Sequence, residues 1–191
     1  MTFDINHWND PRAAISTVYQ HNDFAYATHG GYAAMYVLSF FKDYKISDFK
    51  EMTMLDFGAG TARMARVLTP LFKHVYAYDP NQYCIAEATA EAQRANLKPV
   101  NLTVTQKWED VPECDISFSI NVLEHLDFPS ATDMLNKLKE KVKKESLIWY
   151  SVSKNEKNIK PLLSSQRWSE ARRNMIKGGI IQIDLFDLRK A

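Results

Sequence analysis

The chain has 191 residues, of which 46% are hydrophobic and 25% are charged, and its net charge is +1. This composition is typical of one soluble globular domain and excludes a disordered, collagen-like or disulfide-rich chain. The two cysteines, Cys84 and Cys114, have no metal-ligand spacing, so no metal site is predicted. The polar N-terminus and the lack of a long apolar run predict a cytoplasmic protein without a membrane partner.

The charge is distributed unevenly along the chain. Residues 1–136 contain 10 Lys and Arg against 17 Asp and Glu, a net charge of −7, and residues 137–177 contain 12 against 4, a net charge of +8. A basic segment of this kind indicates either an anionic partner or a helix with a solvated lysine face. The run KLKEKVKKE favours the helix.

Short apolar segments alternate with amphipathic segments. Residues 10–45 are predicted to be helical, with an interruption at Gly30-Gly31. The predicted strands are residues 52–57, 74–79, 101–106, 114–120, 146–152 and 180–186. The predicted helices are a segment after the GAGT turn with a kink or early end at Pro70, residues 82–95, a segment from Ser130, and residues 169–177. Strands that alternate with helices predict the α/β class, with a doubly wound, mostly parallel, Rossmann-like sheet.

A glycine turn, LDFGAGT, follows the first predicted strand. Gly58 and Gly60 allow a tight turn and the close approach of a ligand, and the start of the next helix offers N–H donors. Asp79 ends the second strand, 21 residues after Gly58, at a distance where its carboxylate can accept hydrogen bonds from ribose hydroxyls. Arg63 occupies the place of the third glycine of a dinucleotide fingerprint, which argues against a nicotinamide dehydrogenase. The turn lacks the lysine of a P-loop.

The motif LDFGAGT resembles motif I of the class I S-adenosylmethionine-dependent methyltransferases. YAYDPN resembles the ribose-binding second motif, and WEDVP with CDISFSINVLEHL resembles the third and fourth motifs of the small-molecule branch. The resemblance covers about residues 52–152. It implies a methyltransferase that uses S-adenosyl-L-methionine and releases S-adenosyl-L-homocysteine.

The resemblance also implies a set of cofactor-binding residues. Asp56 and the turn Gly58-Ala59-Gly60, flanked by Phe57 and Thr61, would lie along the methionine end. Asp79 would bind the ribose, Pro80 and Asn81 would flank the adenine, Trp108 and Glu109 would close over it, and Asn121 would lie beside the sulfonium. Lys107 stands where the family often has an acid that contacts the adenine amine, so Glu109 or a backbone carbonyl would replace that acid.

The acceptor decides whether a base is needed, because the sulfonium is already an activated electrophile. His29 and His125 are weak candidates for a base, and the resemblance favours a structural role for His125. A small-molecule acceptor is favoured, since no Asn-Pro-Pro-Tyr follows the fourth strand and no Pro-Cys pair is present. The alternatives are an RNA or DNA methyltransferase that uses the basic segment 137–177, and a non-catalytic S-adenosylmethionine-binding module.

A single methyltransferase domain, 1–191, is therefore predicted. It comprises an N-terminal helical cover at 10–45, a cofactor-binding core at 52–152, and a C-terminal helix and last strand at 153–191. Because only one strand is found after residue 152, the sheet is predicted to be shortened at its C-terminal end. The family's seventh strand would then be absent, or a partner chain would supply it in a homodimer.

Overall fold

The structure is a computed structural model that describes residues 23–43, 45–94, 101–151, 168–176 and 180–187. The chain divides into two compact units, Thr2–Pro112 and Glu113–Ala191. Among the described residues, no helix has the length and apolar character that a membrane span requires.

Within the described residues, the first unit has three parallel strands and three helices. The helices are α1 (Asp23–Asp43), α2 (Arg63–Leu68) and α3 (Gln82–Arg94). The strands are β1 (Thr53–Phe57), β2 (His74–Tyr78) and β3 (Leu102–Thr105), in the order β3-β2-β1. Short 3₁₀ turns cover Phe49–Glu51, Thr69–Leu71 and Trp108–Asp110. These strands lie where the sequence predicts them.

The strand register brings three loops to one edge of these strands. Phe57 pairs with Tyr78, and Tyr78 pairs with Thr105, so the last residues of β1, β2 and β3 lie side by side. Parallel strands end at the same edge of a sheet. The segments that begin at Gly58 and Asp79 therefore leave the strands next to each other.

Helix α1 continues through Gly30 and Gly31, so the predicted interruption there is wrong. Each glycine lowers helix stability by roughly 1 kcal/mol relative to alanine. Packing offsets this cost, because α1 contacts α2 and Val37, Phe40 and Phe41 are at most 1% exposed. Helix α2 ends at Leu68, before the 3₁₀ turn that contains Pro70, which confirms the predicted early end.

In the part of the second unit that the structure describes, there are four strands and one long helix. The strands are β4 (Cys114–Ile120), β5 (Val142–Ser151), β6 (Trp168–Ile176) and β7 (Ile180–Asp187). Helix α4 spans Phe128–Lys141, and a 3₁₀ turn covers Leu123–His125. Strand β5 pairs parallel with β4 and antiparallel with β7, and β6 pairs antiparallel with β7.

The predicted first residues of one helix and one strand in the second unit are wrong. Helix α4 begins at Phe128, two residues earlier than predicted, because the carboxylate of Asp127 caps it by accepting a hydrogen bond from the N–H of Ser130 at 2.9 Å. Strand β5 begins at Val142, so the second half of KLKEKVKKE lies in a strand rather than on a helix face.

The C-terminal part of the sheet also differs from the prediction. Residues 168–176 form strand β6, where a helix is predicted at 169–177, and pairing with β7 overrides the helix propensity of Ala, Arg and Glu in this segment. The strand predicted at 180–186 is β7. Both C-terminal strands are thus present in this chain, so the predicted shortening of the sheet is wrong. A strand supplied by a partner chain is therefore no longer needed, and this reason for a homodimer is removed.

Candidate functional site

The glycine turn after β1 folds back onto the end of β2. Gly58 and Gly60 have φ angles of 76° and 54°, which glycine adopts without strain. The N–H groups of Gly58 and Ala59 donate to the carbonyl oxygen of Tyr78 at 2.8 and 3.0 Å. A Cβ added at Gly60 would meet no atom within 4 Å. The turn therefore leaves open space beside Gly60, into which a ligand could come close to the backbone.

Asp79 joins this turn to the start of α3. Its Oδ2 accepts a hydrogen bond from the N–H of Gly60 at 2.8 Å, and its Oδ1 accepts one from the N–H of Asn81 at 2.9 Å. Burial raises the pKa of Asp79, and the two N–H donors lower it in part. Each carboxylate oxygen keeps a second lone pair, so Asp79 can still accept hydrogen bonds from two ligand hydroxyls.

Asp56 is the second acid of the site, and it is 1% exposed. Neither of its oxygens accepts a hydrogen bond of good geometry from the described residues. Burial raises the pKa of Asp56 well above its usual value, and the charge of Asp79 raises it further. The N–H of Ala65 and the charge of Arg63 lower it only in part. The end of β1 thus holds a carboxyl group that favours its protonated form.

Three aromatic rings pack together beside these acids. Phe57 lies 5.1 Å from Tyr78 and 5.7 Å from Trp108, measured between ring centroids, and Tyr78 lies 5.2 Å from Trp108. Phe57 and Tyr78 end β1 and β2, and Trp108 begins the 3₁₀ turn after β3. The fold therefore brings Trp108 to the same edge as the glycine turn and Asp79.

The residues that flank Asp79 and Trp108 differ in their surroundings. Pro80 and Glu109 are exposed, whereas Asn81 is 6% exposed. The side chain of Asn81 caps α3, because its Oδ1 accepts a hydrogen bond from the N–H of Tyr83 at 2.9 Å. Asn81 thus has a structural role as a helix cap, which the resemblance does not indicate.

Sequence reasoning missed one polar pair at this edge. The hydroxyl of Thr105 lies 3.2 Å from Oδ2 of Asp110, and it accepts the N–H of Lys107 at 3.0 Å. This pair holds the loop that carries Trp108 against the end of β3. No spacing rule pairs a strand-end threonine with an acid five residues later, so the sequence carries no signal for it.

The remaining predicted residues belong to other parts of the chain. Asn121 follows β4 in the second unit, with a left-handed φ of 56° and an exposed side chain. His125, also in that unit, is half-buried and ends the 3₁₀ turn after β4. His29 lies on α1, and its side chain is outside the described residues, as are residues 10–22 of the predicted cover.

At the end of its strands, the first unit therefore presents an acidic edge with a carboxylate, an aromatic ring and an open glycine turn. A ligand that suits it has hydroxyl donors for Asp79, an aromatic group near Trp108 and a slender part that passes Gly60. The nucleoside and the extended sulfonium-linked chain of S-adenosylmethionine have these features. The carboxylate, the aromatic ring and the open turn therefore fit S-adenosylmethionine, the cofactor that the sequence motifs imply.

The sequence matches the family model described as a methyltransferase domain over residues 19–178. This match spans most of the chain and includes every predicted site residue. No match to the sequence of a curated protein was found.

Solved structures with the same fold have diverse acceptors in their names. The magnesium protoporphyrin IX methyltransferase of Synechocystis PCC 6803, solved with bound SAM, matches with a TM-score of 0.66 and 15% identity over 95% of this chain and 90% of that one. The ribosomal protein L11 methylase of Lactobacillus delbrueckii subsp. bulgaricus matches with a TM-score of 0.57 and 18% identity over 84% and 75%. The mitomycin 7-O-methyltransferase MmcR matches with a TM-score of 0.61 and 14% identity over 84% and 53%. These similarities confirm the predicted Rossmann-like fold class.

Proposed function

Because the chain belongs to the methyltransferase-domain family, we propose that it transfers the methyl group of S-adenosylmethionine to a small-molecule acceptor. One observation carries the cofactor assignment. The carboxylate of Asp79 is fixed by the N–H groups of Gly60 and Asn81, directly beside a glycine turn that leaves open space.

In this proposal, the first unit binds and orients the cofactor. Asp79 accepts hydrogen bonds from the two ribose hydroxyls, and Trp108 covers the adenine. The methionine end passes along the turn from Gly58 to Gly60, where side chains would block it. The cofactor itself supplies an activated methyl group, so alignment of the acceptor is the main task left to the protein.

By the motif resemblance, Asn121 is the residue that we propose beside the sulfonium. Asn121 follows β4 in a left-handed conformation that non-glycine residues adopt uncommonly and that recurs at functional sites. Its amide can orient an acceptor hydroxyl or amine without taking its proton. For an acceptor that keeps its proton at neutral pH, His29 and His125 are the candidate bases.

Two observations favour a small acceptor over a nucleic acid. The residues after β4 are Asn121-Val122-Leu123, without the Pro-Pro-Tyr that base methyltransferases place there. Two of the similar structures carry small-molecule acceptors in their names, a porphyrin and mitomycin.

The test of the cofactor site is calorimetric titration of S-adenosylmethionine into the protein and into Asp79→Ala. We expect the affinity to fall by one to two orders of magnitude, since hydrogen bonds to a charged group contribute roughly 1.5–3 kcal/mol. Asp48→Ala is the matched control, because Asp48 is an exposed acid in the same unit and its side chain caps nothing. Equal affinity in Asp79→Ala and Asp48→Ala would refute the ribose assignment.

The test of turnover is the release of S-adenosylhomocysteine when pools of small aromatic alcohols, amines and carboxylic acids are supplied. We expect one pool to stimulate release, and Asn121→Ala to lower kcat more than it lowers cofactor affinity. Stimulation by RNA, DNA or protein alone would overturn the small-molecule proposal and leave the cofactor assignment intact.

A further inference from the structure

Phe128 is the first residue of α4, and its side chain is 57% exposed. Among the residues of the second unit whose side chains the structure describes, no other large apolar one is exposed. Its place on the helix is that of a core residue, because Ala131 and Leu135 follow three and seven residues later on the same helical face and are at most 3% exposed. The core-facing stripe of α4 therefore includes Phe128, although its ring remains mostly exposed.

The lengths of α4 and β4 explain this exposure. Helix α4 ends at Lys141, directly before Val142, which pairs with Cys114 at the start of β4. The 14 residues of α4 and the 7 residues of β4 both rise about 20 Å. Because the helix returns from the carboxyl end of β4 to its amino end, its first residue lies level with the end of the strand. Phe128 therefore lies at the carboxyl edge of β4, where the strand no longer covers its ring.

The connection between β4 and α4 begins with Asn121, whose side chain is exposed at the same edge. The N–H of His125 donates to the carbonyl oxygen of Val122 at 2.9 Å, which closes the 3₁₀ turn of this connection. Leu123 is fully buried and anchors the turn in the core. A compact segment with a buried anchor thus joins an exposed amide to an exposed aromatic ring.

Hydrogen bonds hold the backbone at Phe128 in place. The carboxylate of Asp127 caps α4 by accepting the N–H of Ser130 at 2.9 Å, and the carbonyl oxygen of Phe128 accepts the hydroxyl of Thr132 at 2.8 Å. The hydrogen bonds from Ser130 lower the pKa of Asp127, so the cap is ionised at neutral pH. Phe128 is therefore a preorganised aromatic surface, which loses little conformational freedom when a ligand packs against it.

Ligands of doubly wound sheets bind outside the carboxyl ends of the strands, and small-molecule sites combine apolar or aromatic side chains with a few polar groups. Asn121 and Phe128 supply both kinds of group at one edge. We infer that Phe128 lines the acceptor site and determines specificity for an acceptor with an apolar aromatic ring. The inference rests on the proposed function, because it takes the acceptor to be a small molecule that binds beside Asn121.

The experiment measures the binding of two probes to the protein saturated with S-adenosylhomocysteine, by ligand-observed NMR. 2-Naphthol has an aromatic ring system, and decahydro-2-naphthol is its saturated counterpart. In Phe128→Ser, we expect the affinity for 2-naphthol to fall by about tenfold, since the apolar contact is lost. In Phe128→Leu, the affinity for 2-naphthol should fall by about threefold to tenfold, because the contact between rings is lost. The affinity for decahydro-2-naphthol should stay within about twofold in this variant, since leucine keeps the apolar surface.

Met35→Ser is the matched control, because Met35 is an exposed apolar residue of the first unit. It should leave the affinities for both probes unchanged. Urea unfolding and the affinity for S-adenosylhomocysteine should be the same in all three variants and the unaltered protein, since both altered side chains are exposed and neither belongs to the proposed cofactor site.

The outcomes separate this inference from the proposed function. Unchanged affinity for 2-naphthol in Phe128→Ser, an equal loss in Met35→Ser, or no binding of 2-naphthol to the unaltered protein would overturn the inference while the cofactor assignment stands. A dimer that Phe128→Ser converts to a monomer in analytical ultracentrifugation would also overturn it, because the ring would then contact a second copy of the chain. If the unaltered protein does not bind S-adenosylhomocysteine, the proposed function itself fails.

Discussion

Asp56 shows how a single residue connects the chemistry of the site to the stability of the first unit. A buried carboxyl group without good hydrogen-bond donors prefers the neutral form, because ionisation in a poorly solvated place is unfavourable. Burial is the main cause of its raised pKa, and the negative charge of Asp79 is the second. The folded protein therefore holds a proton at Asp56 at pH values where the unfolded chain has lost it.

Because the folded state holds this proton, we expect the free energy of unfolding to depend on pH. Between the ordinary value of 3.8 and the raised pKa of Asp56, the folded state binds more protons than the unfolded state. The stabilisation is complete at the acidic end of that window and is lost as the pH rises through it, at a limiting slope of about 1.4 kcal/mol per pH unit. We expect Asp56→Asn to remove most of this slope in urea unfolding measured at increasing pH above 3.8.

The control for Asp56→Asn is Asp48→Asn, which replaces an exposed acid in the same unit. Its stability curve should run parallel to that of the unaltered protein. Burial also raises the pKa of Asp79, so a smaller slope of the same sign should persist in Asp56→Asn. Parallel curves for Asp56→Asn and the unaltered protein would contradict the raised pKa.

At the residue scale, the sequence predicts which residues form the site better than it predicts the contacts that each of them makes. The spacing of Gly58, Gly60 and Asp79 predicts that they meet, and the structure joins Gly60 to Asp79 directly. The N–H donors predicted for a ligand in the turn are instead largely used within the protein. Such partners depend on how the loops of β1, β2 and β3 pack together, which no local pattern encodes.

At the scale of elements, Arg66 links the glycine turn to helix α3. One nitrogen of its guanidinium group donates to the carbonyl oxygen of Thr61 at 2.9 Å and to that of Ala88 at 2.7 Å. Thr61 ends the turn, and Ala88 lies in the middle of α3. A half-buried cation thus satisfies two carbonyl oxygens on separate elements, and it holds α2 and α3 at a fixed distance.

Replacement of Arg66 by Met should lower the free energy of unfolding by about 2 kcal/mol, since charge-assisted hydrogen bonds are lost while the apolar stem is kept. Urea unfolding measures this loss. Arg66→Lys should recover part of it, because an ammonium group keeps the charge but lacks the forked geometry. A loss below about 0.5 kcal/mol in Arg66→Met would mean that water replaces the guanidinium group without cost.

The elements that the sequence predicts correctly are those whose local pattern and tertiary role agree. Strands β1 and β2 are short apolar runs that are covered on both sides, and their ends lie within one residue of the prediction. Strand β6 disagrees with its local pattern, since pairing with β7 decides its conformation. A signal was available there, because Gly178-Gly179 between two segments of similar length is typical of a hairpin.

At the scale of the whole molecule, the charge asymmetry raises the question of a nucleic-acid partner. Two described lysines of the basic segment are paired with acids. Lys137 pairs with Asp133 at 2.8 Å on α4, and Lys143 pairs with Glu113 at 3.3 Å. Lys143 and Lys144 lie where the pairing of β5 with β4 shifts register, between Val142 and Glu145. A groove that binds the phosphate backbone of a nucleic acid would need free lysines on one face.

The salt dependence of binding distinguishes a solvated charge from a phosphate-binding surface. Each neutralised phosphate releases counterions, so the affinity for duplex DNA falls with a log–log slope of about 0.9 per contact. We expect RNA and duplex DNA to bind weakly at low salt, with a small slope and no binding at moderate salt. Lys143→Glu/Lys144→Glu should behave like Lys42→Glu/Lys50→Glu, the matched pair of exposed lysines in the acidic first unit. A slope of several units that is lost only in the Lys143/Lys144 variant would overturn the small-molecule assignment, because only a surface that meets several phosphates at once produces it.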